Sequence, residues 1–259
     1  ANYYRKKKKI NLKIKELYKG HEIFFNSDSI NKEFVNYWLE IVPKMMNKKF
    51  LFNDNEKNKI LSSDIEPIFI FGIPRSGTTL VETIITSGKE KIHNAGENFI
   101  LQKTVQNSQL NKKIYESAKS ITLDISFLRK NIIKSYMKQL SIRTKKFKFI
   151  DRTMTNFFFS EILLEIFPNA KIINCKRDSF HNLVAIYQQC LNNLPWSHKV
   201  KDIKKYISIY NYKLGNLEKN YSKNILNVEL KKLTEYPEDI SKEIMSFCKL
   251  NWSEKVLKY

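Results

Sequence analysis

The chain has 259 residues, 42% hydrophobic and 13% aromatic, which excludes a disordered chain and suffices for one α/β domain with its own core and a smaller appendage. Lys and Arg outnumber Asp and Glu by 46 to 26, for a formal net charge of +20. No stretch approaches the roughly eighteen uninterrupted apolar residues of a membrane span, and the opening Ala1 to Arg5, followed by Lys6 to Lys9, lacks the apolar centre of a signal peptide.

In chain order, the pattern first predicts a helix over about residues 7–25, where Ile10, Leu12, Ile14, Leu17 and Tyr18 recur before Gly20-His21. A second begins after Ser29 and spaces Phe34, Tyr37, Trp38, Ile41 and Met45 three to four residues apart. Asn53 to Glu66 is polar and reads as a linker. From Pro67 strands and helices alternate. Ile68 to Phe71 has the composition of a buried strand, with helices expected over 77–88, 96–108 and 122–141. Phe147 to Ile150 is a second strand, followed by a helix from Asn156 to Phe167 that Pro168 stops. Ala170 to Asn174 is a third strand, and helices over 179–193 and 200–220 lead to a fourth, Ile225 to Val228. Pro237 opens the last helix, which ends near Leu250.

This order predicts an α/β fold: a P-loop-like parallel sheet of about four to five strands, helices on both faces, and ligands at the strand C-terminal edge. A short N-terminal helical segment, residues 1–64, precedes the main domain, residues 65–259. The lysines are spread along the whole chain, so the charge reads as attraction for polyanions, a phosphorylated nucleotide included. Lys6 to Lys9 is the one dense run and reads as a solvated helix face. Cys175, Cys190 and Cys248 are an odd number without paired spacing, fitting neither a disulfide framework nor a zinc site. They read as small buried residues in a reducing cytoplasm.

Four of the six glycines (Gly72, Gly77, Gly88 and Gly96) fall within residues 72–96. Between strand and helix stands Phe71-Gly72-Ile73-Pro74-Arg75-Ser76-Gly77-Thr78-Thr79-Leu80. Glycines there let backbone N–H groups approach an anion, the helix start adds free N–H groups, and Ser76, Thr78 and Thr79 add hydroxyls. Gly72 and Gly77 keep the G-x-x-x-x-G spacing of ATP and GTP enzymes. Thr78, however, stands where those enzymes place lysine, and the cation has moved into the loop as Arg75. An anion, most naturally a phosphate, is what such a turn binds, with a glycine-containing strand-to-helix turn that holds no ligand as the plain alternative.

Pro74-Arg75-Ser76-Gly77-Thr78-Thr79 resembles the 5′-phosphosulfate loop of sulfotransferases that use 3′-phosphoadenosine 5′-phosphosulfate (PAPS). The likeness is to bacterial sulfotransferases fused to tetratricopeptide repeats and, more distantly, to tyrosylprotein sulfotransferases, over roughly residues 65–257. It implies that Pro74 to Leu80, named singly as Pro74, Arg75, Ser76, Gly77, Thr78, Thr79 and Leu80, hold the donor. Asn94-Ala95-Gly96-Glu97 resembles the Gly-Glu element, which makes Glu97 the base that takes the acceptor's proton, given partial burial to raise its pKa. A first-turn helix glutamate is the plain alternative for Glu97, and His93 is a rival base.

Asp151-Arg152-Thr153-Met154-Thr155-Asn156 is similar to the family's Asp-Lys-x-Pro-x-Asn segment, with Arg152 in the lysine position as a transition-state cation beside Arg75. Asp151 and Asn156 are alternatively turn and helix-cap residues. Cys175-Lys176-Arg177-Asp178 resembles the 3′-phosphate segment, with Arg177 as the contact, Lys176 as a second cation, and an Arg177–Asp178 salt bridge as the plain alternative. The family's serine eight residues after this arginine is Ala185 here, and Ser179 is the candidate replacement; its tyrosine in the fourth-strand segment is Leu230. Phe247 to Trp252 resembles the terminal segment before a basic lid. The missing initiator Met and the stop at Tyr259 lead us to expect truncation at both ends, with the opening helices a remnant of helical repeats.

The resemblance implies in-line sulfuryl transfer from PAPS to a hydroxyl or amine acceptor (small molecule, saccharide or peptide) without a metal. Two other readings are weighed beside it. A P-loop phosphotransferase needs the absent loop lysine and magnesium. A basic nucleic-acid-binding protein needs a recognition module, and none is legible. Trp196, Tyr206, Tyr210 and Tyr212 can line a pocket, although aromatics on a helix are more often core.

Overall fold

The computed structural model describes residues 9–47, 49–53, 64–108, 120–144 and 146–257. Most of the expected linker and of the lysine run lies outside the described residues. The chain forms two compact units, one of Ala1–Lys44 with Asp178–Tyr212, the other of Met45–Arg177 with Lys213–Tyr259.

The larger unit carries seven described strands: β1 (Lys49–Asn53), β2 (Ile65–Gly72), β3 (His93–Asn94), β4 (Ser120–Asp124), β5 (Phe147–Asp151), β6 (Lys171–Lys176) and β7 (Ile225–Glu229). Five form a parallel sheet in the order β3-β5-β2-β6-β7, while β1 and β4 pair in parallel as a separate ribbon. Apolar residues run through β2 without alternation because both of its faces are covered. On one face Ile68 and Ile70 join Val81, Ile84 and Ile85 of the helix Thr78–Thr86 and Ile244 and Met245 of the helix Pro237–Phe247. On the other, the Phe69 ring lies 6.0 Å from Phe149 and 6.3 Å from Phe167, and Tyr136 lies 4.3 Å from Phe149. Phe69 and Phe149 are at most 1% exposed, so truncating either to Ala costs about 3–5 kcal/mol.

From β2 the chain goes first to the β5 and β3 side, then crosses to β6 and β7 on the other. The C-terminal ends of β5, β2 and β6 therefore lie side by side where the winding reverses, the place open α/β sheets leave for ligands. The register pairs Phe69 with Asp151 and Gly72 with Cys175. The loop after β2 is thus flanked by the segments that start at Arg152 and Arg177.

Several boundaries differ from expectation. The helix expected from residue 122 begins at Ile125, because Ser120–Asp124 is a strand that buries Ile121 and Leu123. Asp124 then caps the helix, accepting from the Phe127 N–H at 3.0 Å. The helix expected from residue 96 begins at Ile100, after Asn98 Oδ1 accepts from the Ile100 N–H at 2.9 Å. The helix expected from Asn156 is a 3-10 segment, Met154–Phe159, running into Ser160–Ile166. Asn156 is therefore not a cap: it is 1% exposed inside that segment, and its Nδ2 is buried without a hydrogen-bond partner among the described residues. β1, β3 and the short helix Leu230–Glu235 were not expected from the sequence.

The smaller unit is helical in its described residues. It comprises Ile10–Asn26, Ile30–Asn36, the π-helical turn Tyr37–Ile41, Ser179–Gln189, the 3-10 turn Pro195–His198, and the helix from Val200 as far as Tyr212. Asp178 caps Ser179–Gln189 by accepting from the His181 N–H at 2.9 Å, and its carboxylate pairs with His181 Nδ1. Trp196 stacks on Tyr206 at 4.0 Å, and both are 1% exposed. With Tyr210 they are core of this unit, whereas Tyr212 is exposed. Among the described residues no helix is long and apolar enough to cross a membrane.

Candidate active site

The turn after β2 is tightly folded. Ser76 N–H donates to the Ile73 carbonyl at 3.1 Å, and Val81 N–H starts the helical ladder on the Gly77 carbonyl at 3.1 Å. The amides just before Val81 precede that ladder, as at any helix start, and so point outward for a ligand. Among the described residues no side chain caps this helix. Arg75 has φ 71°, an uncommon conformation for a residue with a Cβ, and Gly77 has φ 96°. A Cβ on Gly72 would stand 2.4 Å from both Ser76 Oγ and Thr78 Cγ2, so only glycine lets the loop close over the strand end. Ser76 is 2% exposed, and its Oγ has no hydrogen-bond partner among the described residues. A buried hydroxyl left unpaired costs about 1–3 kcal/mol.

Two guanidinium groups belong to this loop. Arg75 is exposed, and its backbone carbonyl accepts a hydrogen bond from Arg177 Nη1 at 2.9 Å. Arg177 therefore rests on the loop carbonyl. Lys176 is engaged elsewhere, 3.0 Å from Glu218, which also accepts from Asn174 Nδ2. Leu230, in the position of the family's tyrosine, packs on the loop, since a Cβ on Gly77 would meet its Cδ1 at 2.8 Å.

The third component comes from the end of β5. Arg152 Nε donates to Glu82 at 2.9 Å and its Nη1 to Glu97 at 2.6 Å. The guanidinium thus links the helix after the phosphate-type turn to the Gly96-Glu97 turn. Glu82 was not singled out in the sequence. It lies one turn beyond Thr78, the single cue that it faces the site. Glu97 is 62% exposed, so the partial burial expected of a base is not found here; an exposed pair of this kind is worth at most about 1 kcal/mol and parts readily. His93 lies in β3 with its ring perpendicular to that of Phe147 at 6.4 Å.

The Gly96-Glu97 turn is laced to β5. Ala95 N–H donates to the Ile150 carbonyl at 2.8 Å, and Arg152 N–H donates to the Gly96 carbonyl at 2.9 Å. Asn98 N–H donates to Thr153 Oγ1 at 2.8 Å. Beneath them Asp151 is completely buried. It accepts from Asn98 Nδ2 at 2.9 Å, from Thr153 N–H at 2.8 Å and from the Tyr136 hydroxyl. Burial pushes its carboxyl above the ordinary range despite those three donors. Asp151 is therefore both a turn residue and the hub that fixes Glu97 and Arg152 in place.

Of the expected residues, the structure brings Arg75, Ser76, Gly77, Thr78, Thr79 and Arg177 to one loop, with Pro74 and Leu80 beside them, and joins Glu97 to Arg152. The loop after β2, three guanidinium groups and an accessible carboxylate thus meet at one sheet edge.

Residues 67–254 match the family described as the sulfotransferase family. Over 261 residues the chain is 26% identical to an uncharacterized protein of Aquifex aeolicus, covering 95% of this chain and 34% of the relative. It is 22% identical over 233 residues to a protein-tyrosine sulfotransferase of Drosophila melanogaster, covering 82% of this chain and 44% of the relative. The chain thus spans between a third and a half of the length of these relatives. Among solved structures, the sulfotransferase domain from the Synechococcus PCC 7002 olefin synthase aligns with a TM-score of 0.49 at 15% identity, over 74% of this chain and 76% of that one.

Proposed function

The chain belongs to the sulfotransferase family, and from that premise we propose that it transfers a sulfuryl group from PAPS to a hydroxyl or amine acceptor. Pro74 to Leu80 hold the 5′-phosphosulfate and Arg177 holds the 3′-phosphate. The acceptor oxygen attacks sulfur in line, forming an O–S bond. The S–O bond to the donor's phosphate breaks, and its electron pair leaves with 3′-phosphoadenosine 5′-phosphate. Glu97 takes the acceptor's proton. Arg75 and Arg152 offset the negative charge that builds on the transferred group and on the leaving oxygen. Glu82 positions Arg152 through its Nε.

The observation that carries this reading is the loop itself: a buried Ser76 hydroxyl with no partner among the described residues, a left-handed Arg75, and Arg177 hydrogen-bonded to the Arg75 carbonyl. Donor groups and cations for two separated anionic groups meet there without the lysine of ATP enzymes. Because the relatives are longer, the acceptor is proposed only as a class: a small molecule, a saccharide or a peptide hydroxyl. The free cysteines are in keeping with a reducing compartment, and we place the chain in the cytoplasm.

The test is donor turnover. PAPS is incubated with the chain and a phenol, a saccharide and a tyrosyl peptide in turn, with no added divalent cation, and nucleotide products are separated. Acceptor-stimulated release of 3′-phosphoadenosine 5′-phosphate is expected. Magnesium-dependent consumption of ATP with PAPS untouched would replace this reading by phosphoryl transfer.

A further inference from the structure

We propose that the smaller unit binds one zinc ion through His21, Cys190 and His198. The three come from distant points of the chain: His21 from the helix Ile10–Asn26, Cys190 from the end of Ser179–Gln189, and His198 from the turn Pro195–His198. His21 Nδ1 and His198 Nδ1 face each other at 2.9 Å, and Cys190 Sγ lies 3.8 Å from His21 Nδ1. All three candidate ligand atoms lie within 4.8 Å of one another. A tetrahedral zinc with ordinary Zn–N and Zn–S bonds separates two nitrogens by about 3.3 Å and a nitrogen from a sulfur by about 3.6 Å. The His21–His198 and His21–Cys190 separations stand within a few tenths of an ångström of those spacings, and closing the Cys190–His198 edge, at no more than 4.8 Å, needs only a side-chain adjustment.

The surroundings favour ligation. His21 Nε2 faces the Tyr187 carbonyl at 2.8 Å, so Nε2 carries the hydrogen and Nδ1 presents its lone pair to the cluster. An outer hydrogen bond of this kind orients metal-binding imidazoles. His21 and His198 are buried, which shields a metal from competing solvent. Cys190 ends its helix at φ 51°, a conformation that turns the chain back at the residue bearing the thiol. A thiolate with two imidazoles is the ligand set of a borderline metal such as zinc rather than of magnesium or calcium. The spacing of the cysteines in sequence gave no hint of it, because the other two ligands are histidines and one lies 169 residues away. The rival account is a hydrogen bond from His198 to His21 beside an unrelated thiol.

The zinc would cross-link the opening helix to the Cys190 and His198 segments within this unit, and it takes no part in the transfer. The chain is stripped with a chelator, dialysed, titrated with Zn²⁺ or Co²⁺, and its metal content and cobalt spectrum are measured. The expected result is about one metal per chain with intense tetrahedral cobalt bands and a thiolate-to-cobalt absorption. Cys190→Ser removes that absorption, whereas His181→Gln, at an exposed histidine outside the cluster, changes nothing. Should Cys190→Ser fail to fold, alkylation of the wild-type chain decides, with zinc slowing modification of Cys190. No zinc uptake by the stripped chain, or uptake that leaves Cys190 equally reactive, overturns the proposal in favour of the imidazole pair.

Discussion

Arg177 donates through Nη1 to the backbone carbonyl of Arg75 at 2.9 Å, so the cation after β6 is seated on the loop after β2. On the proposed reading, one arginine reads the 3′-phosphate and at the same time holds the turn that reads the 5′-phosphosulfate. Arg177→Ala removes charge-assisted hydrogen bonds worth about 1.5–3 kcal/mol and is expected to weaken 3′-phosphoadenosine 5′-phosphate about 10- to 100-fold. Arg177→Lys recovers part of the loss, because a point charge replaces the fork. Calorimetric titration of the three proteins checks both statements. Equal affinities remove Arg177 from the phosphate.

Glu97→Gln separates catalysis from binding. The carboxylate contacts Arg152 but belongs to no phosphate-binding segment, so donor affinity is expected to change by less than a few-fold. Turnover falls about 10²- to 10⁴-fold, the usual contribution of a positioned base. Steady-state kinetics with a fixed acceptor show the split. A variant with undiminished kcat takes the base role away from Glu97.

Gly77→Ala probes the loop by strain. Alanine at φ 96° is disfavoured by about 1–2 kcal/mol, and its Cβ would meet Leu230 Cδ1 at 2.8 Å. Urea unfolding is expected to show destabilisation of about that size or more. Adding Leu230→Ala relieves the clash while leaving the backbone cost. If Gly77→Ala alone unfolds with an unchanged midpoint, the left-handed turn is not the conformation in solution.

Asp151 gives a pH test with a definite sign. Its folded pKa is raised by burial above the unfolded value, so folding favours the protonated form. The stability it contributes is present in full below the unfolded value of about 3.9 and is lost as pH rises through the folded value. Between pH 4 and 8 the wild type should therefore lose more stability than Asp151→Asn, in which this group no longer titrates. Parallel denaturation curves at each pH give the difference. A wild type that gains stability on Asp151 ionisation would contradict the sign.

The parallel sheet and its ligand edge were legible because β2, β5, β6 and β7 are short apolar runs and the glycines cluster after β2. Arg75 could be placed at that edge from the strand–turn–helix pattern, and Arg177 from its place after β6 together with the family resemblance. Other features depend on pairings that no local pattern encodes. Ser120–Asp124 reads as the start of a helix until its partner Lys49–Asn53 is known, since five residues with two buried apolar side chains suit either state. Glu82 lies 70 residues from the guanidinium it holds, and Asp151 reads as a turn residue until Tyr136 and Asn98 close over it. Glu97 lacks the partial burial expected of it, its side chain being 62% exposed, which no local pattern around Gly96 encodes.

The most direct test of the central claim is calorimetric titration of the chain with 3′-phosphoadenosine 5′-phosphate, with ATP in parallel. Saturable one-to-one binding of the bisphosphate in the micromolar range is expected, with little heat from ATP, because the loop lacks the lysine that grips a triphosphate. Tight ATP binding with none of the bisphosphate would contradict it.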